Sequence, residues 1–482
     1  MRGLHLAAWL ALGLLLRALR VGLRWDELSL AYAAYQEPTA RALQEGRLLD
    51  AATTWVGLHP PLYSLLFGLS ELLLPVPLLW LAGSALLSLL AVALVGRAGG
   101  PVAAAVLATS PVQLADAAEI NNYPLATASL ALVLLTARGP WLALALAAGL
   151  ASWSHVLGMA GAGAVVGWRL LQPAPWGERL RLASASGLLA APVLVGAFRR
   201  MAQPDTFQQA GLEPLAWLEL MAQAIGPVGL LLGPLLLLGL RGPALACLAG
   251  PGLALGAALL LGAAAPHQRP YLDLLGPAAA LGIAAGLDRV PGRGRQLLSA
   301  AVLLLCLGRG LTSLGGELQV ARELRADQLR ERALDLALAE SAPGDTLWMV
   351  VPALQPDDDK SATGPLMWRL PPWTPMPIAR PVAFEYTDYR YGQPREHRGR
   401  VIHSSTELDE QAFDHVAASA LQRGRLFVVL ADHGPATGLL QRVERALRPY
   451  RVEEEEVGED RGLGVDRLYR VRGLAEESAD GG

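Results

Sequence analysis

Asp26 and Glu27 follow directly on a hydrophobic N-terminal segment. Carboxylates beside a membrane segment are costly to dehydrate and face water, a partner or a substrate. The loop they open closes on His59-Pro60-Pro61-Leu62-Tyr63. Later loops add Asp116, Glu119, Asn121, Asn122 and Tyr123, then His155, then His267, Gln268, Arg269 and Tyr271. A carboxylate held at a membrane surface, joined by a further acid, a histidine and an arginine, can do acid–base chemistry on a lipid-linked substrate. If the helices between these loops bundle, the set converges on one surface around an apolar wall. Such a site suits a substrate with an anionic head and a long apolar tail.

The elements that must position these groups are membrane helices. The chain has 482 residues, 53% of them hydrophobic, and a mean hydropathy of +0.35, too apolar for an ordinary soluble protein of that length. A spanning helix needs about 20 apolar residues. Eleven candidates meet or approach this: 4–22, 78–96, 102–115, 123–137, 141–153, 156–168, 182–198, 225–240, 244–265, 272–287 and 297–314. With the N-terminus in the cytoplasm, Arg97, Arg138, Arg169, Arg179, Arg181, Arg241, Arg289, Arg293 and Arg295 all fall on cytoplasmic turns. That is the expected positive-inside bias. Arg17, Arg20, Arg24, Arg41 and Arg47, around the first outer loop, are exceptions. The apolar stretch 59–76 starts with Pro60-Pro61 and ends between Pro75 and Pro77, so it reads as a bounded helix on the outer surface. Counting it as a span would invert every later loop.

Two domains are expected: a membrane domain over 1–314, with an outer-surface loop over 23–77, and a soluble α/β domain over 315–482 with a disordered tail. In the second, Glu317 to Glu340 reads as a charged helix, Thr346–Val351, Leu426–Leu430 and Leu468–Val471 as strands, and Ala436–Leu447 as a helix. The net charge of −3 gives no reason to invoke nucleic acid. Cys247 and Cys306 lie in apolar stretches and imply no disulfide framework. No metal motif and no nucleotide-cradling glycine loop is present, so neither a metal, another cofactor nor a soluble nucleotide-sugar donor is implied. Asp357-Asp358-Asp359 reads as a hydrated turn and Glu453–Glu456 as a solvated run.

The order Trp25-Asp26-Glu27, His59-Pro60-Pro61-Leu62-Tyr63, Ser110-Pro111, Glu119-Ile120-Asn121-Asn122-Tyr123 and Arg269-Pro270-Tyr271 resembles the GT-C-fold glycosyltransferases. The likeness is greatest to the branch of protein O-mannosyltransferases and lipid A aminoarabinose transferases, and it covers the membrane domain. The resemblance implies an α-helical polytopic membrane protein that transfers a sugar, with inversion, from a polyprenyl-phosphate carrier to a hydroxyl of a lipid, glycan or protein. It implies that Asp26 is the catalytic base, that Glu119 helps bind acceptor or sugar, and that Arg269 lies near the carrier phosphate. Glu27, His59, Tyr123, His267 and Tyr271 complete the expected substrate site. An arginine's planar fork pairs two phosphate oxygens and keeps its charge when buried. Two cations of the family pattern are missing, one at Trp80-Leu81 and one at Asn121-Asn122. Either Arg17, Arg20 or Arg24 replaces them, or phosphate binding is weaker, or the substrate differs.

The plainer readings are that Asp26 caps a loop, that Glu27 structures it, that Glu119 and His59 start helices, and that His155 ends a span. A transporter would bury charges near the midplane of its spans and show related halves; neither is visible in the sequence. A non-catalytic envelope-assembly protein on the same scaffold is a third reading. The arginine pattern yields a direct expectation about the inner, cytoplasmic membrane. Topology reporters fused at Gly315 and at Arg97 report opposite sides, and the same side for both would overturn the span assignment.

Overall fold

The computed structural model describes residues 5–20, 39, 42–43, 45–53, 60–73, 77–117, 121–201, 228–229, 231–260, 269–327, 332–350, 395–397, 400–405, 410–432, 439–460 and 464–474. The chain forms two compact units, Met1–Leu318 and Gln319–Gly482.

The first unit is helical. Its described helices are α1 (residues 5–20), α2 (Leu48–Thr53), α3 (Leu62–Leu73), α4 (Pro77–Ala108), α5 (Pro111–Asp116), α6 (Tyr123–Thr136), α7 (Trp141–Ser154), α8 (Val156–Leu171), α9 (Trp176–Met201), α10 (Leu231–Gly239), α11 (Gly242–Leu260), α12 (Gly276–Leu287) and α13 (Gly292–Asp327). A 3-10 turn, Arg269–Leu275, leads into α12. Ala82–Ala108, Trp176–Arg199 and Gly292–Gly316 are long and apolar enough to cross a membrane.

The first of these is not one rod. Gly100 has φ +81°, and Pro101 follows it. A Cβ on Gly96 would lie 3.0 Å from that of Ala104, eight positions on, whereas eight residues of straight helix cover about 12 Å. The chain therefore doubles back at Gly100, and α4 is a helical hairpin, as the turn expected between 96 and 102 requires. A second reversal lies between Leu231–Gly239 and Gly242–Gly256, which meet at 116°. The helices α6, α7 and α8 have 14, 14 and 16 residues, about 21–24 Å, short of the roughly 30 Å of a bilayer core. Arg138, Pro140 and the extended backbone of His155 stop them. Against the stretches 123–137, 141–153 and 156–168, α6 stops one residue short, α7 runs one residue further and α8 three. α3 has 12 residues and buries Tyr63 and Phe67 while Leu66 and Leu69 stay exposed.

The helices approach closely where glycine permits. A Cβ on Gly286 would overlap the Leu235 carbonyl oxygen, and one on Gly239 would overlap that of Gly282. These contacts fix α10 against α12. Small-residue seams of this kind are how apolar helices associate when lipid removes the hydrophobic difference. The turn arginines Arg97, Arg138, Arg241, Arg289, Arg293 and Arg295 are exposed. Arg169, at the end of α8, pairs with Glu178 at 3.0 Å.

In the second unit, β1 (Thr346–Val350), β2 (Arg395–His397), β3 (Arg400–Ser405), β4 (Leu426–Asp432), β5 (Tyr450–Asp460) and β6 (Gly464–Leu474) form one sheet in the order β2-β3-β1-β4-β6-β5. The strands β3, β1 and β4 are parallel; β2, β6 and β5 are antiparallel to their neighbours. Alternation along each strand divides its side chains between the two faces. Leu426, Val428 and Leu430 join Trp348 in a core with α15 (Glu410–Arg423) and α16 (Leu439–Leu447). Phe427, Val429 and Leu347 join Ala333 and Ala337 of α14 (Arg332–Glu340). Within the charged helix expected over 317–340, the described residues are helical in α13 up to Asp327 and in α14 from Arg332 to Glu340.

The acidic run is not a free segment. Glu453, Glu454 and Glu455 stand on the edge strand β5 beside Arg472, Arg467 and Arg470 of β6. Arg470 also binds Glu340 through both carboxylate oxygens at 2.7 Å. Charge on an edge strand discourages pairing with other chains.

Asp345 ties the parallel strands together at their start. Its carboxylate accepts from the backbone N–H groups of Ala342 (2.7 Å) and Arg425 (2.9 Å) and from the Arg425 guanidinium (2.8 Å). Burial alone would raise its pKa; these donors overcome that and hold it below the usual carboxylate value. A folded pKa below the unfolded one means the stabilisation is present above the ordinary carboxylate range of about 3.9 and is lost as pH falls through the folded value. Hydrogen exchange at β1 and β4 in the full chain, corrected for intrinsic rates, will show this loss below pH of about 4. Asp345→Asn will cost about 2 kcal/mol at neutral pH and flatten the acid step; an unchanged acid step would contradict the assignment.

Candidate functional site

Of the expected site residues, Asp26, Glu27, His59, Glu119 and His267 lie outside the described residues. Arg269 and Tyr271 are described by backbone alone, as the start of the 3-10 turn. Tyr123 is described in full and is 7% exposed. The turn Arg269–Leu275 packs against α5, α6, α8, α11 and α12. It therefore lies beside the helix that ends in Asp116, the helix that starts at Tyr123 and the helix that starts after His155. Segments separated by more than a hundred residues in sequence meet at this end of the bundle.

Local chemistry explains why the chain turns here. His155 has φ −163° and ψ 145°, so it leaves the helix between α7 and α8. Its Nδ1 accepts the Leu157 N–H at 3.0 Å and caps α8. The Ser154 carbonyl, at the end of α7, accepts from Asn122 Nδ2 at 2.9 Å. Asn121 Oδ1 accepts the Tyr123 N–H at 3.0 Å. The Tyr123 and His155 rings lie 5.4 Å apart. Helix ends leave backbone groups that need partners, and these polar side chains meet that need in a setting where water is scarce. His155 is thus a helix-end residue, and Asn121 and Asn122 likewise bond backbone groups at helix ends.

Beneath this layer lies a buried relay. Arg17 of α1 is 0% exposed and Asp273 of the 3-10 turn 2% exposed. Arg17 donates to Ser88 Oγ through Nε (3.0 Å) and Nη2 (2.9 Å), and through Nη1 to the carbonyls of Gly13 (3.1 Å) and Ala108 (3.2 Å). Ser88 donates to Gln113 Oε1 at 3.2 Å. Gln113 Nε2 donates to Asp273 Oδ1, and Thr127 donates to Asp273 Oδ2 at 3.1 Å. Arginine can only donate and an ionised carboxylate can only accept. Every bond between them must therefore point one way, and the Gln113 amide is aligned from the cation side to the anion side. Hydrogen bonds in such a chain polarise one another.

Arg17 therefore does not stand free to replace a missing phosphate ligand; its guanidinium is held among α1 and the two arms of α4. Sequence reasoning did not single out Asp273. The available signal was a carboxylate inside the apolar stretch 272–287, which must find a partner, and an arginine inside the first span. Arg309 of α13, partly buried, donates to the Val106 carbonyl and to Thr109 Oγ1. Among the described residues no group of three or more His, Cys, Asp or Glu could hold a metal ion.

No protein-family model matches the sequence, and no curated protein matches it. Solved structures do. The crystal structure of ArnT from Cupriavidus metallidurans bound to undecaprenyl phosphate aligns with a TM-score of 0.56 at 15% identity, over 96% of this chain and 97% of that one. Its apo form aligns with a TM-score of 0.56 at 15% identity, over 97% of each chain. The chain has the GT-C-type fold of ArnT.

Proposed function

We propose that this chain transfers a sugar, with inversion, from a polyprenyl-phosphate-linked donor to a hydroxyl of a lipid, glycan or protein acceptor at the outer face of the cytoplasmic membrane. The membrane domain over 1–314 does the chemistry, with eleven spans and the surface loop 23–77. The domain over 315–482 lies outside the cytoplasm. The observation that carries the reading is the packing of the turn that begins at Arg269 against the helices that bear Asp116 and Tyr123, in a fold shared with a protein solved with undecaprenyl phosphate bound.

In the proposed reaction the donor lipid lies along apolar helix faces with its phosphate at Arg269. The acceptor oxygen attacks the anomeric carbon from the face opposite the phosphate. The bond between that carbon and the phosphate oxygen breaks, and its electron pair leaves with polyprenyl phosphate. Asp26 takes the proton of the acceptor hydroxyl. Charge growing on the departing phosphate is met by the guanidinium, in surroundings where little water screens it. Glu27, His59, Glu119, Tyr123, His267 and Tyr271 shape the sugar and acceptor sites.

The transporter reading requires charges at the middle of spans. Among the described residues, the buried carboxylates of the first unit, Asp116 and Asp273, stand at helix boundaries, Asp116 as the last residue of α5 and Asp273 in the turn before α12. A positioned base contributes about 10²–10⁴-fold. A deletion strain will lack one sugar modification in mass spectra of its envelope glycans and lipids. The wild-type gene will restore it, and Asp26→Asn, present in the membrane at wild-type level, will not. Full restoration by Asp26→Asn would remove Asp26 from the mechanism.

A further inference from the structure

We infer that Asp273 is a positioning residue for donor binding: through Gln113 and Thr127 it fixes the turn that carries Arg269 and Tyr271, with Arg17 as its counter-charge. This rests on the proposed function and adds a residue to it. Arg269 and Asp273 share one seven-residue 3-10 turn. Such turns have poorer hydrogen-bond geometry than an α-helix and rarely run beyond three or four residues. This one needs an external clamp, and the Asp273 carboxylate supplies it. One oxygen accepts from α5 through Gln113, and the other from α6 through Thr127.

The clamp also links the turn to the first helix. Gln113 accepts from Ser88, and Ser88 from Arg17. The charges of Arg17 and Asp273 balance across two neutral side chains, so neither is left buried without compensation. The segment before Asp26 and the segment beginning at Arg269 are thereby fixed to a common scaffold of α4 and α5. A shift of about 1 Å in a substrate-positioning group can cost on the order of 10²-fold, so a clamp on this turn bears on donor binding as well as on folding.

The test uses the full chain in lipid nanodiscs and undecaprenyl phosphate as the probe. Asp273→Asn removes the charge and one acceptor. In the fraction that remains folded, as judged by thermal unfolding, backbone amides of 269–275 will exchange faster and the probe will bind roughly 10-fold more weakly. Gln113→Glu alone sets two carboxylates together and will do the same or worse. The double variant Gln113→Glu with Asp273→Asn moves the charge one step along the relay while keeping a donor facing an acceptor. It will recover most of the binding and the slow exchange. A purely structural role would change unfolding and leave probe affinity of the folded fraction untouched. Wild-type exchange and wild-type affinity in Asp273→Asn would overturn the inference, as would failure of the double variant to improve on either single one. A wild-type chain that binds no polyprenyl phosphate would overturn the proposed function and the donor-binding half of this inference; the exchange rates would still report whether Asp273 holds the turn.

Discussion

A guanidinium enclosed by apolar helices has no water to satisfy it, and the first unit is arranged around that fact. Arg17 is fully buried, and an unpaired buried charge is among the most costly features a fold can carry. The answer is distributed. Two carbonyls and a serine take its donors, and the balancing charge, Asp273, stands two side chains away. Removing one member of such a pair typically costs about 3–5 kcal/mol because the other is left uncompensated. The relay ties α1, both arms of α4, α5, α6 and the turn before α12. These are the elements whose ends lead into the loops proposed to carry chemistry.

The polar groups divide between the ends of the bundle. One end has exposed arginines on tight turns at 97, 138, 241, 289, 293 and 295. The other has buried side chains that stitch helix ends together: Asn121, Asn122, Ser154, His155, Gln113 and Asp273. The difference follows from what each end must do. Exposed arginines need only headgroups and water. Helix ends that meet away from water need a fixed geometry, which side-chain bonds to backbone groups provide. The second unit solves another problem, an exposed sheet edge, with a ladder of glutamates on β5 and arginines on β6.

Much of this was legible in the sequence, for identifiable reasons. Gly100-Pro101 and Arg241-Gly242 mark reversals because glycine permits a positive φ and proline starts a helix. Runs of branched and aromatic residues at Thr346, Leu426 and Leu468 lie within β1, β4 and β6. The strands β2, β3 and β5 were missed. Arg395–His397 and the Glu-rich β5 are polar, and their strand character comes from pairing with a neighbour rather than from their own pattern. The relay was missed for a related reason. Arg17, Ser88, Gln113, Thr127 and Asp273 share no local motif, and only the bundle brings them together. Arg17, read from sequence as a possible phosphate ligand, is instead enclosed, because helix packing decides which arginine faces inward. Asp26, Glu27, His59, Glu119 and His267 lie outside the described residues, so the catalytic reading still rests on their order along the chain and on the shared fold.

The central claim is that position 26 and position 269 border one hollow at one end of the bundle. Spin labels on Leu28→Cys and Leu272→Cys, which flank positions 26 and 269 and leave Asp26 and Arg269 in place, would measure this separation, since the native Cys247 and Cys306 are both buried. The account predicts a distance well below the roughly 30 Å of a bilayer core. It also predicts that undecaprenyl phosphate broadens or shifts that distance by entering between the labels. A separation comparable to or greater than the core thickness, insensitive to the lipid, would contradict it.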